Sequence, residues 1–244
     1  MPLEIATAQG SATIRERPDG RRFLIVRADD DAAWTDVLTE ALAVTDGPVH
    51  LTIPATAFGR IDAARALGFV DELRGRQFDV PFEPCLAEAG RVPRSTRVAL
   101  RPADEISPDE LFELDTELRG ETPGSDGWRG MREWFDEELD SAEFDPSGYL
   151  VAVSVTDGAL AGLVRFWRND PVPSLGLLGV RAAWRHGTVA ATLLGGGLRA
   201  ASTWGADHFE VHTTRPALIR RLRRLGATEG EGFLRLHRPS PSAV

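Results

Sequence analysis

The feature that most constrains the fold is an internal repeat with a constant offset. Leu67-Gly68 returns 158 residues later as Leu225-Gly226, and Gly47 returns at the same offset as Gly205. In both places the predicted order is helix, glycine, strand, helix and Leu-Gly. Agreement in this whole order indicates a duplicated unit rather than a chance match of two dipeptides. The first copy lacks a counterpart to part of the second, so we predict two related units of which the first is truncated.

Short apolar runs alternate with amphipathic helical segments along the 244 residues, which predicts a mixed α/β fold. The stretch 81–95 contains three prolines and one glycine and shows little periodicity, so it is interpreted as a linker. The resulting division is a truncated copy over 1–80, a linker over 81–95, a complete domain over 96–238 and a flexible tail over 239–244.

Charge and composition exclude several classes of function. The 28 basic and 37 acidic residues give a net charge of −9, which disfavours binding to nucleic acid. The sequence has no apolar run of transmembrane length and no leader pattern, so we expect a cytoplasmic protein without a membrane partner. Cys85 is the only cysteine, so no intramolecular disulfide can form. We also expect no bound metal.

The segment 177–194 has the pattern of a strand, a tight loop and a helix. Small residues at Gly187, Thr188 and Ala190 leave the loop backbone open to a ligand. The first N–H groups of the helix have no internal partners and lie at the positive end of the helix dipole. This arrangement favours a phosphate or pyrophosphate. An ordinary strand-to-helix connection with small packing residues explains the same sequence equally well.

The segment also resembles motif A of the GNAT superfamily of N-acetyltransferases. The family pattern, Arg/Gln-x-x-Gly-x-Gly/Ala, stands here as Arg185-His186-Gly187-Thr188-Val189-Ala190, with Thr188 at the position of the central glycine. Leu225-Gly226 resembles a second landmark, a short helix that ends in Leu-Gly-Phe. The resemblance implies a tandem acetyltransferase fold, an α/β mixed sheet that is complete in the second copy and degenerate in the first.

The resemblance further implies a site for acetyl-CoA as the cosubstrate. The cofactor would lie in a V between the strand that ends at Val180 and the strand at 209–213. Backbone groups of the first strand would pair with the pantetheine arm, and the loop would hold the pyrophosphate. The implied binding residues are Leu178, Gly179, Val180, Arg185, His186, Gly187, Thr188, Val189, Ala190 and Thr214.

The usual catalytic residues of the family are missing. The strand at 174–180 has no carboxylate, although many members carry a glutamate there, and Leu222 stands where many members carry a tyrosine. Glu210 and His212 alternate onto one face of the strand beside the expected thioester, so they are the predicted catalytic residues. A purely structural role for His212 is the alternative.

Together these patterns predict an N-acetyltransferase that acts on a primary amine of a small acceptor. Seven carboxylates between residues 133 and 145 would attract a cationic amine, although a solvated helix face explains them as well. One alternative is a non-catalytic protein of the same fold that binds acyl-CoA or a partner. Another is an α/β protein that uses the loop for a different phosphorylated ligand. A homodimer is a further possibility that the sequence does not decide.

Overall fold

The structure is a computed structural model that describes residues 3–17, 20–122 and 130–240. The strands are β1 (Leu3–Thr7), β2 (Gly10–Glu16), β3 (Arg22–Ala28), β4 (Val49–Pro54), β5 (Val70–Pro81), β6 (Val98–Pro102), β7 (Tyr149–Ser154), β8 (Leu160–Trp167), β9 (Ser174–Val180), β10 (His208–Thr213), β11 (Thr228–Glu229) and β12 (Phe233–Arg238). The helices are α1 (Asp31–Ala43), α2 (Phe58–Ala66), α3 (Phe82–Arg91), α4 (Pro108–Gly120), α5 (Arg132–Leu139), α6 (Val189–Ala201) and α7 (Pro216–Arg224).

The chain divides into two compact units. Unit 1 comprises Met1–Gln77 together with Glu231–Val244, and unit 2 comprises Phe78–Gly230. This division differs from the predicted boundaries, because β12 lies in unit 1 and not in a domain that runs to residue 238. Within the described residues no helix is long and apolar enough to cross a membrane. Of the predicted tail, residues 241–244 lie outside the described part of the chain.

Unit 1 is a mixed sheet with helices α1 and α2 packed on one face. Its strand order is β1-β2-β3-β4-β12-β5, with β3 parallel to β4 and the other neighbours antiparallel. Trp34 and Leu38 of α1 and Ile61 of α2 share one core with Leu51 of β4 and Leu234 of β12. The last strand of the chain therefore completes the sheet of the first unit.

Unit 2 is a sheet covered by helices on both faces. Its order is β6-β7-β8-β9-β10 followed by the second part of β5, which also pairs with β11. Helices α3, α6 and α7 pack on one face around residues such as Leu193 and Phe166. Helices α4 and α5 pack on the other face around Leu114 and Tyr149. We call these the α6 face and the α4 face.

The predicted repeat is present in the structure. Helices α1 and α2 begin and end 158 residues before α6 and α7, respectively. The helix ends also match, because the Phe69 N–H donates to the Ala64 carbonyl and the Ala227 N–H to the Leu222 carbonyl, each at 3.1 Å. Both Leu-Gly pairs place the glycine in the left-handed region, with φ +90° at Gly68 and +79° at Gly226, where a side chain would be strained.

The linker prediction for 81–95 is wrong over most of its length, because α3 occupies Phe82–Arg91. Pro84 lies in the first turn, where its missing N–H removes no helical hydrogen bond. Gly90 lies in the last turn, so neither residue interrupts the helix. Phe82 and Cys85 are buried in the core of unit 2, and α3 is thus an integral part of that unit.

Candidate cofactor and acceptor site

Strands β9 and β10 are parallel neighbours that pair at only one end in the described residues. The Glu210 N–H donates to the Pro173 carbonyl at 2.8 Å, and Glu210 is in register with Ser174. On its other edge β9 contains a bulge, because Arg165 pairs with Leu177 and Phe166 with Leu175. The extra residue is Gly176, and such a bulge bends a strand. Beyond the pair of Glu210 and Ser174 the described residues of β9 and β10 have no further register, which is compatible with the V-shaped opening that the resemblance implies.

The candidate residues of β9 divide between the two faces of the sheet. Leu178 and Val180 pack with the core on the α6 face. Gly179 lies under α4, and a Cβ atom at this position would come within 2.8 Å of the Leu118 side chain. The absence of a side chain at Gly179 therefore allows α4 to pack closely on β9. The backbone of Leu178 and Val180 lies along the opening, whereas Gly179 also has a packing role.

The loop after β9 is open at the predicted anion site. Gly187 has φ +132°, and a Cβ built on it would meet no atom within 4 Å. Helix α6 starts at Val189, and the side chain of Thr188 forms no capping hydrogen bond. The first helical bond runs from the Thr192 N–H to the Thr188 carbonyl, at 2.8 Å. The N–H groups of the first turn, including those of Val189 and Ala190, thus have no helical acceptor.

Two predicted loop residues have roles that sequence reasoning did not foresee. The Arg185 Nε donates to the Val180 carbonyl at 2.9 Å, and its Nη2 pairs with Glu121 at the end of α4. Val189 is buried, so its side chain cannot contact a ligand at this loop. His186 is exposed, and Thr214 is half-buried just after β10. An anion at this loop must compete with Glu121 for Arg185.

Unit 1 has a different start to its corresponding helix. Only two residues separate β3 from α1, and the Asp30 side chain accepts a hydrogen bond from the Ala33 N–H at 2.8 Å. Arg60 of α2 forms an ion pair with Asp31 at 2.8 Å. Carboxylates thus occupy the position that a phosphate would take, and they repel one. The start of α1 is therefore unsuited to a phosphate.

The two catalytic candidates share one face of β10. Phe209, Val211 and Thr213 are buried, and the first two belong to the core on the α6 face. Because side chains alternate along a strand, Glu210 and His212 lie on the α4 face. Glu210 is half-buried and His212 is exposed. Their catalytic role stays a prediction.

A buried ionic network lies on the same α4 face, and the sequence analysis did not identify it. Asp115 of α4 accepts hydrogen bonds from the Tyr149 hydroxyl at 3.1 Å, from Arg165 Nη1 at 3.2 Å and from Arg119 Nε at 3.0 Å. Both arginines also contact Glu138 Oε2, at 2.9 Å from Arg165 and 3.1 Å from Arg119. Burial, and then Asp115, raise the pKa of Tyr149 well above its usual value. The only tyrosine is therefore a structural donor.

The remaining candidates are the lone cysteine, possible metal ligands and the acidic segment 133–145. Cys85 is buried, and this burial raises the pKa of its thiol to about 11, so the thiol stays protonated at neutral pH. Among the described residues no cluster could hold a metal ion. Three of the seven carboxylates between 133 and 145 form ion pairs: Asp136 with Arg132, Glu138 with Arg119 and Arg165, and Asp145 with Arg168. The acidic segment is thus partly neutralised.

Comparison with known proteins identifies the fold. No protein-family model and no curated protein matches the sequence. A GCN5-related N-acetyltransferase from Sphaerobacter thermophilus matches with a TM-score of 0.68 and 16% identity, covering 96% of this chain and 78% of that one. The fold is that of the GCN5-related N-acetyltransferases. The coverage includes both units, which agrees with a tandem arrangement.

Two further structures support the same acetyltransferase fold. A tandem GNAT protein from the clavulanic acid biosynthesis pathway, solved without AcCoA, has a TM-score of 0.67 and 16% identity over 97% of this chain and 80% of that chain. A GCN5-related N-acetyltransferase from Kribbella flavida has a TM-score of 0.58 and 14% identity, with coverage of 99% and 91%. At these sequence identities the similarity shows the fold alone. The reaction has to be argued from the residues of the site.

Proposed function

We propose that the protein is an acyl-CoA-dependent N-acyltransferase that transfers an acetyl group from acetyl-CoA to a primary amine of a small acceptor. The observation that carries this proposal is the opening between β9 and β10, directly beside the open N-terminal turn of α6. The resemblance to the GNAT superfamily implies a cofactor opening at these two elements. In unit 1 the corresponding helix start is capped by Asp30, so the proposal concerns unit 2.

The residues present fit the cofactor. The backbone of Leu178 and Val180 would hold the pantetheine arm, as an extra strand pairs with an edge. The N–H groups of the α6 first turn would bind the pyrophosphate. Gly187 leaves room for it, and Arg185 would add a charge-assisted hydrogen bond once it leaves Glu121. When bound, acetyl-CoA supplies the activated acyl group.

The chain would contribute mainly by positioning. In direct transfer a C–N bond forms at the acyl carbon and the C–S bond breaks, the amine loses a proton and the leaving thiolate gains one. Holding a neutral amine against the acyl carbon is worth about 7–11 kcal/mol in well-oriented systems. Glu210 or His212, on the face that receives the amine, would accept its proton through water, and general-base help adds about 10²- to 10⁴-fold. Direct transfer needs no acyl-enzyme, and the buried Cys85 thiol takes no part in this scheme.

The binding step is tested by Gly187→Glu. We expect CoA to raise the melting temperature of the wild-type protein and to have no such effect on the variant, because the carboxylate fills and repels the anion site. Gly158→Glu is the matched control, since Gly158 also has positive φ and open space around it, in the hairpin between β7 and β8. Full stabilisation of Gly187→Glu by CoA would place the ligand elsewhere.

The proton-transfer step is tested by His212→Gln. If His212 is the base, kcat falls at least about tenfold at neutral pH and the pH–rate profile flattens. His208→Gln is the control, because His208 lies on the same strand and face but pairs with Asp207 at 2.5 Å. An unchanged rate in His212→Gln would show that positioning, or Glu210, carries the reaction.

A non-catalytic acyl-CoA-binding protein is the second candidate. It is favoured by the lack of a carboxylate on β9 and by Leu222, which is buried in the core where the family resemblance places a tyrosine. Binding of CoA without thiol release over a broad panel of amines would support this candidate against the first.

A further inference from the structure

Arg165 carries a donor that the buried network leaves unused. The residue is 3% exposed, and its Nη1 donates to Asp115 and Glu138. Its Nε is buried without a hydrogen-bond partner among the described residues. A buried donor without an acceptor costs free energy, so such a group calls for an explanation.

A second donor lies beside the first. The guanidinium carbon of Arg165 is 4.5 Å from the centroid of the Trp167 ring. An ideal Cβ at Gly176 would come within 2.5 Å of Trp167 Nε1 and 3.4 Å of Arg165 Nε. Both donors therefore lie against the bulge residue of β9. Gly176 is exposed, so the place where the donors meet adjoins the surface.

The charges around this place are already balanced. Arg119 and Arg165 face Asp115 and Glu138, so the network has two positive and two negative groups. Each carboxylate of this network therefore already has an arginine partner. The Arg165 Nε–H still lacks an acceptor oxygen, and an arginine Nε–H with a neighbouring indole N–H can share one.

The location connects these donors to the proposed reaction. Gly176 lies two residues after Ser174, which is in register with Glu210 of β10. Arg165, Trp167, Glu210 and His212 all lie on the α4 face of the sheet. A ligand oxygen held at Gly176 would thus belong to the acceptor, close to the strand that carries the candidate base.

We propose that Arg165 Nε and Trp167 Nε1 bind an oxygen of the acceptor, which is then a primary amine that also carries a carbonyl or carboxylate group, as in an α-amino acid or its amide. This substrate class rests on the proposed acyl transfer and makes it more specific. Trp167 has to turn away from Gly176 to admit the oxygen and expose Arg165 Nε, because its Nε1 lies within 2.5 Å of the position that a Cβ of residue 176 would take.

The test compares three matched sets of amines: α-amino acids, their amides and the corresponding decarboxylated amines. Binding to the protein saturated with CoA is measured by calorimetry, and kcat/KM with acetyl-CoA is corrected for the fraction of neutral amine. We expect the amines with an oxygen to bind and react in preference to the decarboxylated ones. The order of acids and amides distinguishes a carboxylate from a neutral carbonyl.

Two variants test the donors themselves. Trp167→Phe keeps an aromatic ring but removes the indole N–H, so KM for oxygen-bearing amines should rise about three- to tenfold, with no change for decarboxylated amines. Gly176→Ala adds a Cβ within 2.5 Å of Trp167 Nε1, which displaces the indole while Asp115 and Glu138 stay unchanged, so it should abolish the preference. Gly90→Ala is the control, because a Cβ there meets nothing within 4 Å.

The two levels of the proposal fail in different ways. If CoA does not stabilise the protein, the proposed function is wrong. If CoA binds but decarboxylated amines bind equally well, or if Trp167→Phe and Gly176→Ala both leave the preference unchanged, the assignment of Arg165 and Trp167 is wrong while acyl transfer stands. Calorimetry gives this answer even where no turnover occurs.

Discussion

Replacing Asp115 with asparagine should destabilise unit 2 strongly. Asp115 is 3% exposed, and its side chain accepts three hydrogen bonds, from Tyr149, Arg165 and Arg119. Asparagine has nearly the same shape but no charge, and it presents an NH₂ group in place of one oxygen. Either orientation of the amide brings donors against donors, and it leaves the buried Arg165 with only one anionic partner.

The magnitude follows from the remaining contacts. Removing one partner of a buried ion pair costs about 3–5 kcal/mol of unfolding free energy. Glu138 still contacts both arginines, so the loss should lie at the lower end, about 3 kcal/mol. Tyr149→Phe removes one hydrogen bond to the same carboxylate and should cost about 1–2 kcal/mol. The double variant should lose less than the sum, because both changes act on one network.

Urea unfolding followed by tryptophan fluorescence is the assay, since five of the six tryptophans fall within the residue range of unit 2. Asp140→Asn is the isosteric control: Asp140 is exposed at the end of α5, and its replacement should change stability by less than about 0.5 kcal/mol. Equal stabilities of the Asp115 and Asp140 variants would refute the reasoning, because the buried network would then contribute nothing.

Three further predictions concern other parts of the chain. Burial lowers the pKa of His50 below its ordinary value of 6.5, so His50 binds a proton more readily in the unfolded chain, and the free energy of unfolding should fall as the pH drops below about 6.5 toward the folded-state pKa. His50→Gln should flatten this decline in thermal melts, and parallel curves would contradict it. Gly68→Ala should cost about 1–2 kcal/mol in urea because of the φ of +90°, whereas the helical Gly90→Ala should not destabilise. Cys85 should react with a thiol reagent slowly in the native protein and rapidly in urea, since its pKa is about 11; fast native labelling would contradict its burial.

Local signals predicted most of the elements well. The strand over 174–180 and the strand over 160–167 have the same bounds in the structure, because turn residues mark their ends. Glycines that require positive φ defined the ends of α2 and α7 and, with them, the repeat. The acetyltransferase fold followed from the loop and the Leu-Gly pairs, and the structural comparisons confirmed it.

Features that depend on contacts distant in sequence were not predictable. Asp115 and Arg165 stand 50 residues apart on different elements, and each has the appearance of an ordinary surface residue in the sequence. The bulge at Gly176 depends on the register between two strands. The prolines at the start of α3 are typical of a linker, and the sequence alone does not show that Phe82 and Cys85 pack into a core. The site residues of β9 and the loop were placed by resemblance, and their roles stay predictions.

The position of β12 in unit 1 has a consequence for biosynthesis. Strand β12 pairs with both β4 and β5, yet roughly 180 residues separate it from the end of β4. At 5–20 residues per second a ribosome needs about 10–40 s to make that stretch. Meanwhile the whole of unit 2, which is continuous in sequence, has emerged and can fold. Unit 2 can thus complete its fold before unit 1, although unit 1 is synthesised first. Until β12 is made, the edges of β4 and β5 that it will cover stay unpaired, and unpaired strand edges are sites of aggregation.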